Sequence, residues 1–411
     1  MEKNEQDERN RLHRAIRQGR PVTALLPVMA AVFVAFIVIG LAMPVLPLHV
    51  HHGLGLGTFL VGLVAGSQFA AAILSRVWAG RHADARGAKT AVTTGLMIAA
   101  AAGLLYLLSL RFAGTPAISV TILLLGRALL GVGESFIITG AQSWGLAVIG
   151  VRNTGKALAW VGSAMFAAFA LGAPAGTVLY ASYGFAAIAL ATTLLPIATL
   201  LFVAPLPRVA STARVQAGLM KVMAAVWVPG VASALSSIGF GAITAFSALF
   251  FVARGWAAWP AFTVFATAFI LTRLSLGHLA DRFRGAKVAL ICVLIEAAGL
   301  GLIWLSPWSA VALIGAGLTG VGYSLVYPGF GVEAIRSAPA QSRGLAMGAY
   351  TAFLDVALGF GTPALGLLAD LAGLGMVFVA SMLAALGAAG IAAAILHAPR
   401  ARPARDALAC P

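Results

Sequence analysis

Hydrophobic runs of close to 20 residues recur along the whole chain, and short polar segments separate them. A helix needs about 20 apolar residues to cross the hydrocarbon core of a membrane. The runs do not alternate between apolar and polar residues, as the strands of a membrane β-barrel would. The pattern therefore predicts twelve helical spans, numbered here in chain order: 23–50, 58–79, 89–110, 116–144, 155–180, 184–205, 222–252, 259–279, 287–305, 309–332, 344–368 and 373–397.

Composition supports an integral membrane protein. Of 411 residues, 61% are hydrophobic and 9% are charged, whereas soluble domains carry about 25% charged residues. The first run is longer than the core of a signal peptide, so we expect it to remain as a helix. No segment outside the spans is long enough for a soluble domain.

The net charge of +15 is distributed as a membrane topology would require. With the N-terminus in the cytoplasm, the two tails and the loops on that side hold 22 of the 27 Lys and Arg residues. This is the positive-inside rule, and it predicts a bacterial inner-membrane protein with both termini cytoplasmic. The basic loops then face anionic lipid headgroups, so the charge needs no nucleic acid partner.

Two stretches of the chain are near copies of each other. LSRVWAGRHADARGAK at 74–89 corresponds to LTRLSLGHLADRFRGAK at 271–287, an offset of 197 for Arg76, Gly80 and Asp84. Further along, LLGVGESF at 129–136 corresponds to LTGVGYSL at 318–325, an offset of 189. Repeats of six spans share one orientation, and transporters built from such repeats bind solute at the repeat interface near the bilayer midplane.

The sequence thus predicts an all-α integral membrane protein with two parallel six-helix repeats. We expect a cytoplasmic tail at 1–22, a first bundle at 23–205, a cytoplasmic linker at 206–221, a second bundle at 222–397 and a cytoplasmic tail at 398–411. Two cysteines, Cys292 in span 9 and Cys410 in the tail, are expected to be free thiols.

The spans, the polar linker and the duplicated loop together resemble the major facilitator superfamily, in particular its YhhS/YfcJ-type efflux branch. The first copy of the loop has the pattern G-x-x-x-D-x-x-G-x-K, and the second copy has one extra residue. In that superfamily the loop is implied to lock the outward-facing state. The resemblance assigns gating roles to Gly80, Asp84, Gly87, Lys89, Gly277, Asp281, Arg282 and Lys287.

The glycines at the ends of spans 2 and 8 are expected to allow close helix approach. Lys89 and Lys287 are expected to face the anionic leaflet. An ordinary topogenic loop is the alternative. Arg76 and Arg273, one turn before these glycines, are expected to snorkel to the interface.

Span 4 carries Arg127 and, two turns later, Glu134. Charged groups at membrane depth are costly and mark function by default. Asp355 in span 11 and Glu296 in span 9 are also predicted at membrane depth. Our hypothesis is that Glu134 and Asp355 exchange protons or contact solute, tuned by Arg127. A structural ion pair between Arg127 and either acid is the alternative, and Glu296 is the weaker candidate.

Glycine and proline residues recur in spans 5 and 11. Gly172, Pro174 and Gly176 partly resemble the antiporter motif of drug/proton exporters, except that Ala173 separates the glycine from the proline. Because proline removes a backbone donor, we expect bends here and at Gly361 and Pro363, or a structural role alone.

Other polar residues on the expected cavity helices are Gln68, Gln142, Tyr323 and Tyr327. The interfacial histidines His49, His51 and His52 have no nearby carboxylate or cysteine, so no metal site is predicted, and no cofactor is implied. The main prediction is a monomeric, proton-coupled exporter of a small organic solute. A sugar or organic-acid importer or facilitator and a non-transporting sensor stay open, whereas no cluster of catalytic residues indicates an enzyme.

Overall fold

A computed structural model describes residues 21–149, 154–205, 219–277, 279–338 and 343–397. Throughout these ranges the secondary structure is helical, joined by short turns. Most of the predicted linker and nearly all of both predicted tails lie outside the described residues, so the boundaries at 1–22, 206–221 and 398–411 stay predictions.

The first half contains spans 1 to 6. Span 1 is the helix Pro21–Ala42, continued by Val45–Leu48 and a π-helical turn at His49–Gly53. Spans 2, 3 and 4 are Thr58–Arg86, Ala88–Arg111 and Pro116–Ile149. Spans 5 and 6 lie within one assigned helix, Thr154–Val203, which breaks at Gly184 (φ 69°, ψ −170°).

The second half contains spans 7 to 12. Spans 7, 8 and 9 are Leu219–Ala253, Trp259–Leu276 and Gly285–Leu305, with a short helix at Leu279–Arg282 before span 9. Spans 10, 11 and 12 are Ser309–Ser337, Arg343–Ala372 and Leu374–His397. Eleven helices of the described chain are long and apolar enough to cross a membrane, and the break at Gly184 divides one of them into spans 5 and 6.

Both halves use the same helix pairings. Spans 1 and 5, 2 and 4, 3 and 4, and 3 and 6 pack together in the first half; spans 7 and 11, 8 and 10, 9 and 10, and 9 and 12 repeat these pairs. The predicted twelve-span fold with two repeated bundles is therefore confirmed.

Glycines set how closely the paired helices approach. A Cβ on Gly131 of span 4 would overlap the backbone of Gln68 in span 2, and a Cβ on Gly320 would overlap the backbone of Phe265 in the same way. Lipid supplies no hydrophobic force between helices, so such close packing is what holds them together. The 2–4 and 8–10 crossings are thus fixed at equivalent positions.

The predicted bend residues also lie at close helix contacts. Gly172 and Gly176 face the backbone of span 1, where a Cβ on Gly172 would lie 2.8 Å from the Ile37 carbonyl. Pro363 of span 11 packs on Gly62 and Gly66 of span 2, while Gly361 faces span 7. Pro174 and Pro363 both lie inside helices that continue past them. These residues therefore serve helix packing, and bending stays a prediction.

The halves meet along spans 2 and 11 and along spans 5 and 8. We call the membrane side where span 2 begins the Thr58 side, and the opposite one the Lys89 side. Gly62 and Gly66 bring span 2 against the span 11 backbone in the Thr58 half of the interface. Nearer the Lys89 side, no atom of the described residues lies within 4 Å of a Cβ built on Gly162 or Gly348. The halves are thus packed together towards the Thr58 side.

Basic residues of the duplicated loops bind the last carbonyls of distant helices. Lys89 Nζ donates to the Ala204 carbonyl (2.7 Å) at the end of span 6. Arg284 donates to the Leu396 carbonyl (3.2 Å) at the end of span 12. A cation at a helix C-terminus meets the negative end of the helix dipole. The expectation that Lys89 faces only lipid headgroups is corrected, whereas Lys287 is exposed.

Asp370, near the end of span 11, closes the Thr58 side by capping a helix of the other half. Its carboxylate accepts hydrogen bonds from the backbone N–H groups of Thr58 and Phe59 (both 2.9 Å) and from the Thr58 hydroxyl (2.5 Å). The N-cap of span 2 is Gly57, which has no side chain to do this. The first turn of span 2 therefore obtains its cap from the opposite half.

We predict that Asp370→Ala loosens the contact between the halves on the Thr58 side. Three charge-assisted hydrogen bonds are lost, and a loss of ~1.4 kcal/mol would change the population ratio about tenfold. The measurement is maleimide labelling of Thr362→Cys, a buried interface position, in protein with Cys292 and Cys410 replaced. Labelling should be about tenfold faster in Asp370→Ala.

Glu333→Ala is the matched control, because Glu333 caps span 9 within its own half through the Ala286 N–H (3.1 Å). It should leave the labelling rate unchanged. Equal labelling of Thr362→Cys with and without Asp370 would mean that the cap does not hold the halves together.

Candidate functional site

Four charged residues of the membrane interior lie on spans 2, 4 and 11: Arg76, Arg127, Glu134 and Asp355. Arg76 of span 2 forms an ion pair with Asp355 of span 11, joining the two halves. Asp355 is buried, whereas 17% of the Arg76 side chain is exposed. The snorkelling expected for Arg76 is therefore wrong: its guanidinium finds a carboxylate partner inside the protein, because a buried charge needs compensation.

Glu134 is bound by a neutral partner. Gln68 Nε2 of span 2 donates to Glu134 Oε2 at 2.5 Å, and both side chains are buried. The second amide atom, Gln68 Oε1, is buried without a hydrogen-bond partner. Glu134 thus has one polar contact from the neighbouring helix, and Arg76, Arg127 and Asp355 lie close enough to interact with it electrostatically.

Arg127 does not form the ion pair considered as the alternative. Among the described residues neither Glu134 nor Asp355 lies within ion-pair distance of it. Its guanidinium donates instead to the Val64 carbonyl and the Tyr106 hydroxyl, each at 3.4 Å. Arg127 therefore ties span 4 to spans 2 and 3, and Asp355 is paired with Arg76 in its place.

Arg273, the counterpart of Arg76, binds a backbone carbonyl of its own half. It donates to the Ser324 carbonyl of span 10 (2.9 Å), and Tyr323, Tyr327 and Tyr350 lie within electrostatic range. The snorkelling expected for Arg273 is thus also corrected, because its guanidinium binds a carbonyl inside the second half.

The predicted cavity residues divide into buried and accessible groups. Gln68 and Tyr323 are buried, and Tyr323 stacks on Phe240 with ring centroids 5.0 Å apart. Tyr327 and Gln142 are partly exposed, and the Tyr327 hydroxyl lies 2.6 Å from the Thr351 hydroxyl. Only Tyr327 and Gln142 of this set present side chains at an accessible surface.

Glu296 is a third buried carboxylate, held within the second half. Ser236 Oγ of span 7 donates to Glu296 Oε2 at 2.5 Å, while Oε1 is buried without a hydrogen-bond partner. It lies between spans 7, 9 and 10 of the second half, because a Cβ on Gly239 would meet its carboxylate and a Cβ on Gly322 would meet its backbone. Within the described residues no three His, Cys, Asp or Glu residues lie together as a metal site would require.

The duplicated loops are open in this conformation. No atom of the described chain lies within 4 Å of a Cβ built on Gly80, so Gly80 makes no close contact with a described helix, contrary to the expectation. Asp84 is exposed, as are Arg282 and Lys287. Gly87 joins spans 2 and 3 at a φ of 93°, which favours glycine. Among the residues that the structure describes, a Cβ on Gly277 would meet only Arg273 of its own helix. The side chain of Asp281 lies outside the described residues.

Three features of the site were missed from sequence. All three depend on contacts between spans that are distant in sequence. They are the pairing of Arg76 with Asp355, the hydrogen bond from Ser236 to Glu296, and the capping of span 2 by Asp370. Asp370 could have been noticed as an acidic residue opposite an uncapped helix start. The pairing of Arg76 with Asp355 had no sequence signal.

Comparison with known proteins gives the family. The model of the Major Facilitator Superfamily matches residues 28–261 and 253–409. The chain is 41% identical over 384 residues to the MFS-type transporter STM4428 of Salmonella typhimurium, covering 93% of this chain and 98% of that protein. It is 39% identical over 372 residues to the MFS-type transporter YhhS of Escherichia coli, covering 90% and 91% of the two chains.

Solved structures share the fold at low sequence identity. The nucleoside transporter NupG aligns with a TM-score of 0.71 at 13% identity, covering 90% of this chain and 99% of that one. A bacterial homologue of the human lysosomal transporter Spinster, in an inward-facing and unoccupied conformation, aligns with a TM-score of 0.67 at 15% identity, covering 90% and 96%. The repeated bundles, the buried charges between them and these relatives lead to one conclusion: the chain belongs to the major facilitator superfamily, as a multi-pass membrane transporter of the YhhS type.

Proposed function

We propose that this transporter exports a small organic solute across the bacterial inner membrane, and that proton binding drives the cycle. The observation that carries the proposal is the Arg76–Asp355 ion pair, which links the two halves at their interface. Alternating access requires the halves to move against each other. A charge pair across that contact makes the movement depend on the protonation of Asp355.

A proton on Asp355 removes the charge that compensates Arg76. Breaking one side of a buried ion pair costs about 3–5 kcal/mol, so the neutralised pair no longer favours the closed contact. Arg76 has a partly exposed side chain and a buried Nε without a hydrogen-bond partner. It can therefore turn to water or solute when Asp355 is neutral. Glu134 of span 4 supplies a second carboxylate, which belongs to the first half.

The membrane orientation in this proposal follows from charge. The positive-inside rule puts the basic loops in the cytoplasm. The Lys89 side is then the cytoplasmic side, and both termini lie on it. The halves pack together on the Thr58 side and have open space on the Lys89 side. The conformation is then inward-facing. Export as the direction rests on the glycine–proline pattern of span 5, which partly resembles the exporter motif.

The duplicated loops act, in this proposal, when the cytoplasmic side closes. Asp84 is exposed and Gly80 faces open space in this conformation. Both are thus disengaged, as a lock for the outward-facing state should be when the protein faces inward. Once the halves close on that side, the Asp84 carboxylate can bind a helix N-terminus or an arginine.

We predict that Glu134→Gln and Asp355→Asn each abolish proton-driven flux, because an amide cannot exchange a proton. The measurement is solute accumulation in proteoliposomes with and without a pH gradient, using a panel of sugars, organic acids and organic cations. Gradient-driven flux should fall at least about tenfold, while exchange of solute across the membrane without a gradient persists.

Because Asp355→Asn leaves Arg76 without its partner, the double variant Arg76→Gln/Asp355→Asn serves as the folding control. It should recover the thermal stability that the single variant loses. If flux through the unmodified protein does not depend on the pH gradient, transport is not coupled to protons. If solute accumulates in the inward direction, the protein is an importer and not an exporter.

We predict that Asp84→Asn slows transport by roughly tenfold without reducing expression. Its charge is needed only in the state closed on the cytoplasmic side, so losing ~1.4 kcal/mol of that contact lowers the population of the state. Initial rates in proteoliposomes measure the effect. Arg86→Gln, an exposed charge change in the same loop, should transport normally, and an unchanged rate in Asp84→Asn would mean that the loop is topogenic only.

A further inference from the structure

The crossing of spans 2 and 4 is built like the crossing of spans 8 and 10, but its side chains differ. Gly131 lies on the backbone of Gln68, and Gly320 lies on the backbone of Phe265. The offsets of the repeat relate these positions: 197 for Gln68 and Phe265, 189 for Gly131 and Gly320. The second half therefore forms the same helix contact without a polar residue from span 8.

The partner position differs in the same way. Glu134 corresponds to Tyr323. In the second half Phe265 and Tyr323 belong to an aromatic group, in which Phe240 stacks on Tyr323 and lies 6.0 Å from Phe265 between ring centroids. The fold thus accepts an aromatic pair at this crossing. A buried amide and carboxylate in the first half are costly by comparison, so packing does not explain them.

The geometry of the pair suits both protonation states of the acid. Gln68 Nε2 donates to Glu134 Oε2 at 2.5 Å, and Gln68 Oε1 is buried without a partner. A carboxylate only accepts hydrogen bonds, whereas a carboxylic acid also donates one. When the amide rotates by about half a turn, its oxygen faces Glu134 and accepts the acid's O–H. No other side chain hydrogen bond to Glu134 is recorded within the described residues.

We propose that Gln68 is the positioning residue that keeps the Glu134 proton exchangeable, by donating to the carboxylate and accepting from the acid. The backbone contact with Gly131, one turn before Glu134, fixes Gln68 against it. The charged groups near Glu134 are Arg76 on span 2, Arg127 on span 4 and Asp355 on span 11. This inference rests on the proposed function for its role in transport, but the proton exchange can be measured without solute.

The experiment is a pH titration of purified, lipid-reconstituted protein, followed by the carboxylic acid C=O band in infrared difference spectra. Glu134→Gln identifies the band by removing it. In Gln68→Leu both forms lose a hydrogen bond, but the bond to the ionised form is charge-assisted and the stronger of the two. The midpoint of that band should therefore move to higher pH by about one unit, a tenfold change in proton affinity. Gln68→His, which keeps a donor and an acceptor, should bring the midpoint most of the way back to that of the unmodified protein.

A purely structural Gln68 would lower stability and leave the midpoint of the band in place, and that result would overturn the proposal. The absence of any titrating band assigned to Glu134 would overturn it as well. The double variant Gln68→Phe/Glu134→Tyr copies the second half and should fold normally while lacking the band. If it fails to fold, the polar pair is needed for packing and the proposal is wrong.

The same spectra separate this proposal from the proposed function. A band that titrates and moves in Gln68→Leu, in a protein whose flux ignores the pH gradient, would support the role of Gln68 and reject proton-driven export. Gradient-driven flux, together with a band that does not move in Gln68→Leu, would support proton-driven export and reject the role of Gln68. Gln142→Leu is the matched control, because Gln142 is a partly exposed amide of span 4 outside the pair; it should leave the midpoint unchanged.

Discussion

Close contact between helix backbones at glycines is the constraint on which the rest of this structure depends. In lipid, helices gain little from hydrophobic burial against one another and associate through packing and hydrogen bonds. The contacts of Gly131 with Gln68 and of Gly62 with Thr362 leave no room for a Cβ. Because such contacts fix each helix along its neighbour, they also decide which polar side chains meet. The Gln68–Glu134 hydrogen bond and the Arg76–Asp355 ion pair follow from them.

The halves share their packing and differ in their charges. The helix pairings repeat, and the Lys89 and Arg284 side chains each bind the end of the last helix of their half. Arg127, Glu134 and Asp355 have no counterpart of the same type at the related positions. The two six-helix bundles are therefore alike in helix packing. They differ in their buried charges, because a membrane interior tolerates few charges and each one needs its own partner.

Two carboxylates of span 11 bind span 2 across the contact between the halves, and they differ in exposure. Asp370 caps span 2 at the Thr58 side, where its carboxylate is exposed, so water and salt can weaken it. Asp355 is buried with Arg76 inside the interface, where a change of protonation has a larger energetic effect. A transport cycle must break both. The exposed cap favours the closed contact whether or not Asp355 carries a proton, and in the proposed cycle the buried pair is the contact that a proton controls.

The sequence by itself determined the spans, the duplication and the family, because hydrophobic length and the repeat offsets are local properties of the chain. It also identified Glu134 and Asp355 as acids at membrane depth. The tertiary structure alone decided their partners: Arg76 for Asp355 instead of Arg127, and Gln68 for Glu134. A pairing between spans 2 and 11 joins residues 279 positions apart. No local pattern encodes it, since it depends on how two separately packed bundles meet.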